Sequence, residues 1–288
     1  MDHTTPMLQN NPNAVIRNLP HGLTHEVERL MLGFDWVTPL DADTMARLSV
    51  AGEQISRLLP RKFEVSTSEA HASMGTMSGL QSPDDSELYA VIFDDNPDHS
   101  APFDDKHAEI IINTEGLYFA VHHRYDGWER TRALAIELYS VFHESVLKDV
   151  PVASIEFRVS NIFYLDKFSG DLSDLLRKGC DSLPGRVFAA DGLWHIDEGY
   201  YELQPDLDMQ YLLVNLNVSK VREDGRPQLR VRTMHQYDFE LGAQGLQVID
   251  DLFSRFESLH AINKRLLATV LNNDISHSLG LLGDGGAI

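Results

Sequence analysis

Hydrophobic residues recur at three- and four-residue spacing in three segments of the chain, which predicts three helices with one apolar side. The first runs from about 41 to 59 and stops before Pro60, which cannot continue a helix. The second runs from about 127 to 148 and the third from about 246 to 271. Each should bury its apolar side against another layer of structure.

Between these helices lie shorter apolar or alternating runs that predict strands. They cover 62–68, 87–93, 109–113, 116–123, 154–163, 193–203, 211–221 and 228–239. The last two form a hairpin whose turn is Asp224-Gly225, and on its second arm alternate residues face a core. The core-facing residues of that arm are Leu229, Val231, Thr233, His235, Tyr237 and Phe239. This order of elements predicts an α+β fold, with largely antiparallel sheets and long amphipathic helices packed on them.

A polar stretch containing glycine, at 169–192, suggests a seam between two units. One interpretation places an N-terminal α+β unit at 14–185 and a C-terminal β-hairpin and helix unit at 186–288. The alternative is one continuous domain, because the seam lacks the composition of a true linker.

Charge and composition narrow the class of protein. The 288 residues carry a formal net charge of -20, which disfavours binding to phosphate backbones and to anionic lipid surfaces. Cys180 is the sole cysteine, so no internal disulfide can form and a reducing compartment is expected. With no basic, apolar leader and no apolar run of about 18 residues, the sequence predicts a soluble cytoplasmic protein without membrane association.

Common catalytic and cofactor motifs are absent from the sequence. It contains no dinucleotide-binding or P-loop glycine pattern, no H-E-x-x-H, no paired cysteines and no G-x-S-x-G. The acidic stretch from Asp94 to Asp105 imitates a calcium loop, but His99 stands where glycine is needed, so a solvated loop is the better interpretation. No cofactor and no metal are therefore expected, and a non-enzymatic role is favoured.

Two groups of polar residues are candidates for recognition. Lys220, Arg222, Arg226, Arg230 and Arg232 place five cations within the predicted hairpin, either to bind an anion or to keep an exposed hairpin soluble.

The histidines allow similar alternatives. His195 and Asp197 share one side of a predicted strand, which suits a metal or an acid–base pair but is a weak signal. His260 on the last helix is either a packed core histidine or a proton carrier.

One resemblance goes beyond these general signals. Tyr125-Asp126-Gly127-Trp128-Glu129 opens a helix, a strand carrying Arg158 and Asn161 follows, and a late helix contains Leu259-His260. This pattern resembles a sporadically distributed bacterial family of about this length, with a Y-x-G-W-E element, an R-I-G-L-R-Y-I-N-like strand and a C-terminal L-x-x-L-H helix. Only the second arginine and the asparagine of that strand are kept here. The resemblance implies mobile genetic neighbourhoods and a link to conflict with phages, but no activity.

The residues of this pattern also permit a structural role. Arg158 and Asn161 are three apart on a strand and so face opposite sides. If Arg158 is buried it needs a carboxylate such as Glu129, and Trp128 next to Tyr125 would then wedge the helix onto the sheet as a latch. The alternative is an arginine that binds a ligand.

These patterns favour a non-enzymatic protein, expected as a homo-oligomer, that recognises a protein partner or a small anionic ligand. The alternative is an enzyme acting on a nucleotide or phosphate ester, with hairpin arginines holding the anion and a histidine carrying the proton. The candidate ligand-binding residues are Arg158, Asn161, Arg226, Arg230, Arg232, His195 and His260.

Overall fold

One antiparallel sheet of ten strands organises the protein. The computed structural model describes residues 17–67, 87–96, 107–123, 125–205, 210–239 and 249–282. The strands are β1 Arg17–Asn18, β2 Thr24–Trp36, β3 Arg61–Ser66, β4 Leu88–Asp94, β5 Ala108–Asn113, β6 Gly116–His122, β7 Val152–Tyr164, β8 Trp194–Gln204, β9 Gln210–Glu223 and β10 Arg226–Asp238. Their order is β3-β4-β5-β6-β2-β7-β10-β9-β8, and β1 pairs with β2 at one side of this path. The predicted α+β class with antiparallel pairing is confirmed.

Five described helices accompany the sheet. They are α1 Ala42–Ala51, α2 Trp128–Ser145, α3 Leu172–Leu175, α4 Ile249–Val270 and α5 Asn273–Ser278. Residues from α1, α2 and α4 share one buried cluster with Leu32, Phe119 and Phe157, and residues from α3 to α5 share another with Phe163 and Leu229. The strand register places these five sheet residues on one side, here called the helix face. No described helix packs against the other side, here called the open face.

The central strand β2 escaped sequence prediction. Its register with β7 shifts between Val27 and Arg29, so a bulge interrupts the alternation of apolar and polar positions. Beyond the bulge Leu30 and Met31 are both buried although they point to opposite faces. A strand that is apolar on both sides and broken by a bulge lacks the period-2 pattern used to recognise strands.

The hairpin of β9 and β10 follows its predicted pattern. Leu229, Val231, Thr233, His235 and Tyr237 are all buried, and Phe239, one residue past β10, is half-buried against the same core, so the predicted core side of this arm is confirmed. At the turn Asp224 and Gly225 both have positive φ, 48° and 79°, as a two-residue hairpin turn of this kind requires.

Strand pairing crosses the predicted seam. β7 pairs with β10 from Tyr164↔Gln228 to Ser154↔Asp238, so strands on either side of 169–192 belong to one sheet. The stretch itself contains α3 and contributes Leu175, Leu176 and Leu183 to the buried cluster around Phe163. Residues 97–105, which make up most of the calcium-like stretch, lie outside the described residues, so the interpretation as a solvated loop stays a prediction.

A buried ion pair ties the first strands of the sheet together. Arg61 on β3 donates from Nε and Nη2 to the two carboxylate oxygens of Asp94 on β4, each at 2.7 Å. Both side chains are buried. This two-point pairing supplies the partners that buried charges need.

Candidate functional site

A cavity of about 230 Å³, open to solvent beside Arg17 and Gly280, lies between the helix face and α4. Its apolar lining comprises Val27, Leu30, Trp128, Phe157, Val159, Leu267, Leu279 and Leu281. Its polar lining comprises Arg17, His25, Tyr125, Asn161, His260, Asn263 and Lys264. An apolar wall with a few polar groups is the usual composition of a small-molecule site.

The start of α2 forms one wall of the cavity. Gly127 precedes the helix with φ 101° and ψ 160°, a conformation that strongly favours glycine. The next residue, Trp128, donates from Nε1 to the Glu257 carboxylate on α4 at 2.7 Å. Its ring stacks on His260 at 4.3 Å between centroids and meets Phe157 of β7 edge-on at 5.8 Å. Trp128 therefore joins α2, α4 and the sheet.

A histidine–asparagine pair lines the sheet side of the cavity. His25 Nε2 lies 3.0 Å from Asn161 Oδ1, and both residues are buried. Burial lowers the pKa of His25 to about 4. The hydrogen bond to Asn161 opposes this shift, and the nearby charge of Arg17 adds to it. The imidazole is therefore neutral at pH 7, and Nδ1 is an acceptor when Nε2 carries the proton.

Asn263 on α4 presents unused hydrogen-bond donors to the cavity. Its Oδ1 accepts from Thr233 Oγ1 at 2.6 Å and lies 3.2 Å from His235 Nε2. No described residue accepts a hydrogen bond from its Nδ2, although the residue as a whole is only 3% exposed. Because Asn263 lines the cavity, this amide group can donate to a molecule bound there.

His260 offers a second neutral polar group. Burial lowers its pKa to about 4. The negative charge of Glu257 opposes this shift, and the positive charge of Lys264 adds to it. Within the described part of the chain neither ring nitrogen has a hydrogen-bond partner. The ring therefore brings one donor and one acceptor to the cavity at neutral pH.

Two cations complete the cavity lining. Arg17 donates from Nη1 to the Leu279 carbonyl at 3.2 Å, and Lys264 lies one residue beyond Asn263 on α4. Neither forms an ion pair with any described carboxylate. Arg17 is exposed at the mouth of the cavity, and the described lining contains two cations and no Asp or Glu, the nearby carboxylate of Glu257 lying behind Trp128.

A wider groove of about 630 Å³ lies on the open face. Register places Ser160 of β7 at its centre, directly between Arg29 of β2 and Arg232 of β10, with Arg158 two residues along β7. The arginine side chains are 42%, 50% and 54% exposed for Arg29, Arg232 and Arg158 respectively.

Each of these three arginines lies beside a carboxylate. Arg29 lies 3.4 Å from the buried Glu109, Arg158 donates to the buried Glu156 at 2.6 Å, and Arg232 lies 3.9 Å from Glu28. His122 approaches the same Glu109 at 2.8 Å and His123 approaches Glu26 at 2.6 Å. The groove is a network of compensated charges, unlike the cavity.

The structure divides the predicted site residues between several places. Asn161 and His260 line the cavity, while Arg158 and Arg232 line the groove.

The other three lie outside both sites. Arg230 is held between Glu28 and Glu223, and Arg226 lies over the Tyr164 ring at 4.6 Å. His195 is exposed on β8, and no described hydrogen bond or ion pair joins it to Asp197.

The expected pairing of Arg158 with Glu129 is wrong. Arg158 points to the open face and pairs with Glu156, whereas Glu129 is exposed at the start of α2 on the other side of the sheet. Strand parity separates the two residues, since Arg158 shares its side with Glu156. Trp128 and Tyr125 do lie against the helix face, where both line the cavity.

The five cations of the hairpin do not form one surface. Lys220 on β9 is paired in register with the core residue Leu229 and so belongs to the helix face, where it donates to the Asp191 carbonyl at 3.2 Å. Arg226, Arg230 and Arg232 belong to the open face. The alternation of a strand therefore splits a cluster that is compact in sequence.

Sequence reasoning missed Arg17, Asn263 and Lys264. Arg17 and Lys264 are single basic residues far apart in sequence, and the pairing of Arg17 with His25 brings the former to the cavity. Only the position of Asn263, three residues after His260 and hence on the same helix side, gave a usable signal.

Comparisons with known proteins and the search for metal ligands leave the cavity without an assigned ligand. No protein-family model matches the chain, and no curated protein matches it. Among the described residues no group of three His, Cys, Asp or Glu side chains is placed to hold a metal ion. In the same part of the chain no helix is long and apolar enough to cross a membrane.

Proposed function

We propose that this protein binds a small organic anion in the cavity between the helix face and α4. The single observation that carries the proposal is that three groups without a described anionic or accepting partner line one cavity. They are the cations of Arg17 and Lys264 and the Nδ2 amide of Asn263. An anion would supply what these three groups lack.

Each part of the cavity has a role in such binding. The anionic group would accept hydrogen bonds from Asn263 and from the cations, and hydrogen bonds to charged groups contribute about 1.5–3 kcal/mol each. The organic part would lie against Phe157 and Leu267, removing apolar surface from water. His25 and His260 stay neutral and so leave the positive charge to Arg17 and Lys264.

Cavity size limits the ligand. Its volume of about 230 Å³ falls below the range of about 300–1,000 Å³ that is usual for ligand pockets. A ligand about the size of benzoate is therefore favoured over a nucleotide.

The test compares benzoate with benzamide, which has the same shape and no charge. Full-length protein would be titrated with each, following tryptophan fluorescence because Trp128 lines the cavity. Binding of benzoate should exceed that of benzamide, and Lys264→Gln should weaken benzoate binding by about tenfold or more because a charged hydrogen bond is lost.

Arg158→Gln is the matched control, since it removes the same charge from the open-face groove. It should leave benzoate binding unchanged. Equal binding of benzoate and benzamide, or equal loss in the two variants, would contradict the proposal.

Other expectations from the sequence stay predictions. The link to mobile elements and phage conflict rests on the resemblance of Tyr125–Glu129, Arg158, Asn161 and Leu259-His260 alone. A cytoplasmic location and a homo-oligomer likewise rest on composition and on the binding role.

A further inference from the structure

The sheet ends in a long strand, β8, whose outer edge is paired with no strand in the described part of the chain. β8 pairs with β9 on one side only, and among the described strands none lies on its other side. In an antiparallel strand about half of the N–H and C=O groups point away from the single neighbour. Those of Trp194–Gln204 are therefore available to another strand, the arrangement that proteins usually avoid or cover.

Exposed apolar side chains collect at the same edge. Six large hydrophobic side chains are exposed among the described residues, and four of them belong to β8, to its flanks or to the start of β9. These four are Leu193 at 67%, Tyr201 at 67%, Leu203 at 41% and Tyr211 at 66% exposed. Leu203 is paired with Tyr211 in register, and the alternation puts Tyr201 on the same side as Leu203, so three of them form one patch.

The negative charge of β8 favours a positively charged partner strand. β8 carries Asp197, Glu198 and Glu202 and contains no lysine or arginine. A second copy added through β8 would bring six carboxylates together, and like charges placed across a strand pair are destabilising. A basic strand would meet opposite charges instead.

We propose that β8 is a docking strand that accepts an extended basic segment of another protein, with lysine or arginine alternating with apolar residues. Main-chain hydrogen bonds to the free edge would hold the segment in the sheet. Its apolar side chains would cover Tyr201 and Leu203, and its cations would lie on the other side of the strand, next to Glu198 and Glu202. Asp197 lies on the same side as Tyr201 and would add a longer-range attraction. This surface shares no residue with the lining of the cavity, so the two proposals stand or fall independently.

A synthetic nine-residue peptide of alternating lysine and valine tests the proposal, with a glutamate–valine peptide as the comparison. Fluorescence anisotropy of the labelled peptides with full-length protein should show binding of the lysine peptide alone, weakening as salt is added. Methylating the backbone nitrogens on one edge of the peptide should abolish binding, while methylating those on the other edge should not, because only one edge faces β8.

Protein variants locate the site. Asp197→Asn, Glu198→Gln and Glu202→Gln together should weaken lysine-peptide binding by about tenfold or more. The control combines Asp43→Asn, Glu53→Gln and Glu144→Gln, which remove the same charge from exposed positions on and beside helices remote from β8, and should have no effect. Circular dichroism of both variants verifies the fold.

Three results would overturn the proposal. They are equal binding of the two peptides, equal weakening in the two triple variants, and indifference to backbone methylation on either edge. Self-association of the unmodified chain that the β8 variant changes would show that a second copy occupies the edge.

Discussion

A buried histidine makes the stability of this protein sensitive to acid. His235 on β10 is 0% exposed and has Nε2 3.2 Å from Asn263 Oδ1, while no described group bonds its Nδ1. Burial lowers its pKa from 6.5 to about 4, against the smaller opposing influence of the Asn263 hydrogen bond. Because the folded pKa lies below the unfolded one, the unfolded state binds the proton more readily. Stability is full above about pH 6.5 and falls as the pH drops towards 4.

The size of the effect follows from these two pKa values. At pH 5 the unfolded ring is mostly protonated and the folded ring mostly neutral, which costs about 2 kcal/mol of unfolding free energy, rising to about 3 kcal/mol at pH 4. His25 and His260 have pKa values lowered in the same direction and should add to this loss. The assay is urea unfolding at pH 7 and pH 5, for the unmodified protein and for His235→Leu, which cannot titrate.

His235→Leu should lower stability at pH 7, because Asn263 loses one of its two partners. Between pH 7 and 5 the variant should lose about 2 kcal/mol less unfolding free energy than the unmodified protein. His277→Leu, at an exposed helix position, is the control and should leave the pH dependence as it is. If the unmodified protein and His235→Leu lose the same stability between pH 7 and 5, the reasoning about burial is refuted.

Three further predictions concern the fold around the cavity and the sheet. Arg61→Met should destabilise the protein by about 3–5 kcal/mol because it leaves the Asp94 carboxylate buried alone, and Arg61→Met with Asp94→Leu should recover much of that loss; denaturant unfolding measures both. Gly127→Ala should lower the unfolding free energy by on the order of 1–3 kcal/mol because alanine is strained at φ 101°. An added methyl group would meet no atom within 4 Å, so an unchanged unfolding free energy would contradict the argument from backbone strain. Trp128→Leu should cost about 3 kcal/mol or more through lost packing and the lost bond to Glu257, and calorimetry with an unchanged melting temperature would show that the ring is not part of the core.

The elements that sequence predicted best have a regular period and a local turn signal. The β9–β10 hairpin carries its register in alternating residues and its turn in Asp224-Gly225, so neighbouring residues suffice to predict it. β2 was missed because the bulge at Val27/Arg29 and the burial of both its faces remove that period. Its position at the centre of the sheet depends on long-range pairing that no local pattern contains.

The candidate site was predictable only in part for the same reason. Asn161 and His260 were singled out, yet their meeting in one cavity depends on how α4 lies on β7. Arg158 was interpreted either as a buried latch residue or as a ligand-binding arginine, and strand parity directs it to the open face, where it pairs with Glu156. Arg17 reaches the cavity through a two-residue strand too short to give any pattern.

The side-chain amide of Asn263 allows the most direct test of anion binding in the cavity. In a ¹H–¹⁵N spectrum of the full-length protein, adding benzoate should shift the Asn263 Nδ2 proton signals, since these protons have no acceptor among the described residues and would donate to the ligand. The Nε signal of Arg158 in the open-face groove should stay where it is. Movement of the Arg158 signal with a static Asn263 amide would contradict the account and place the anion in the groove.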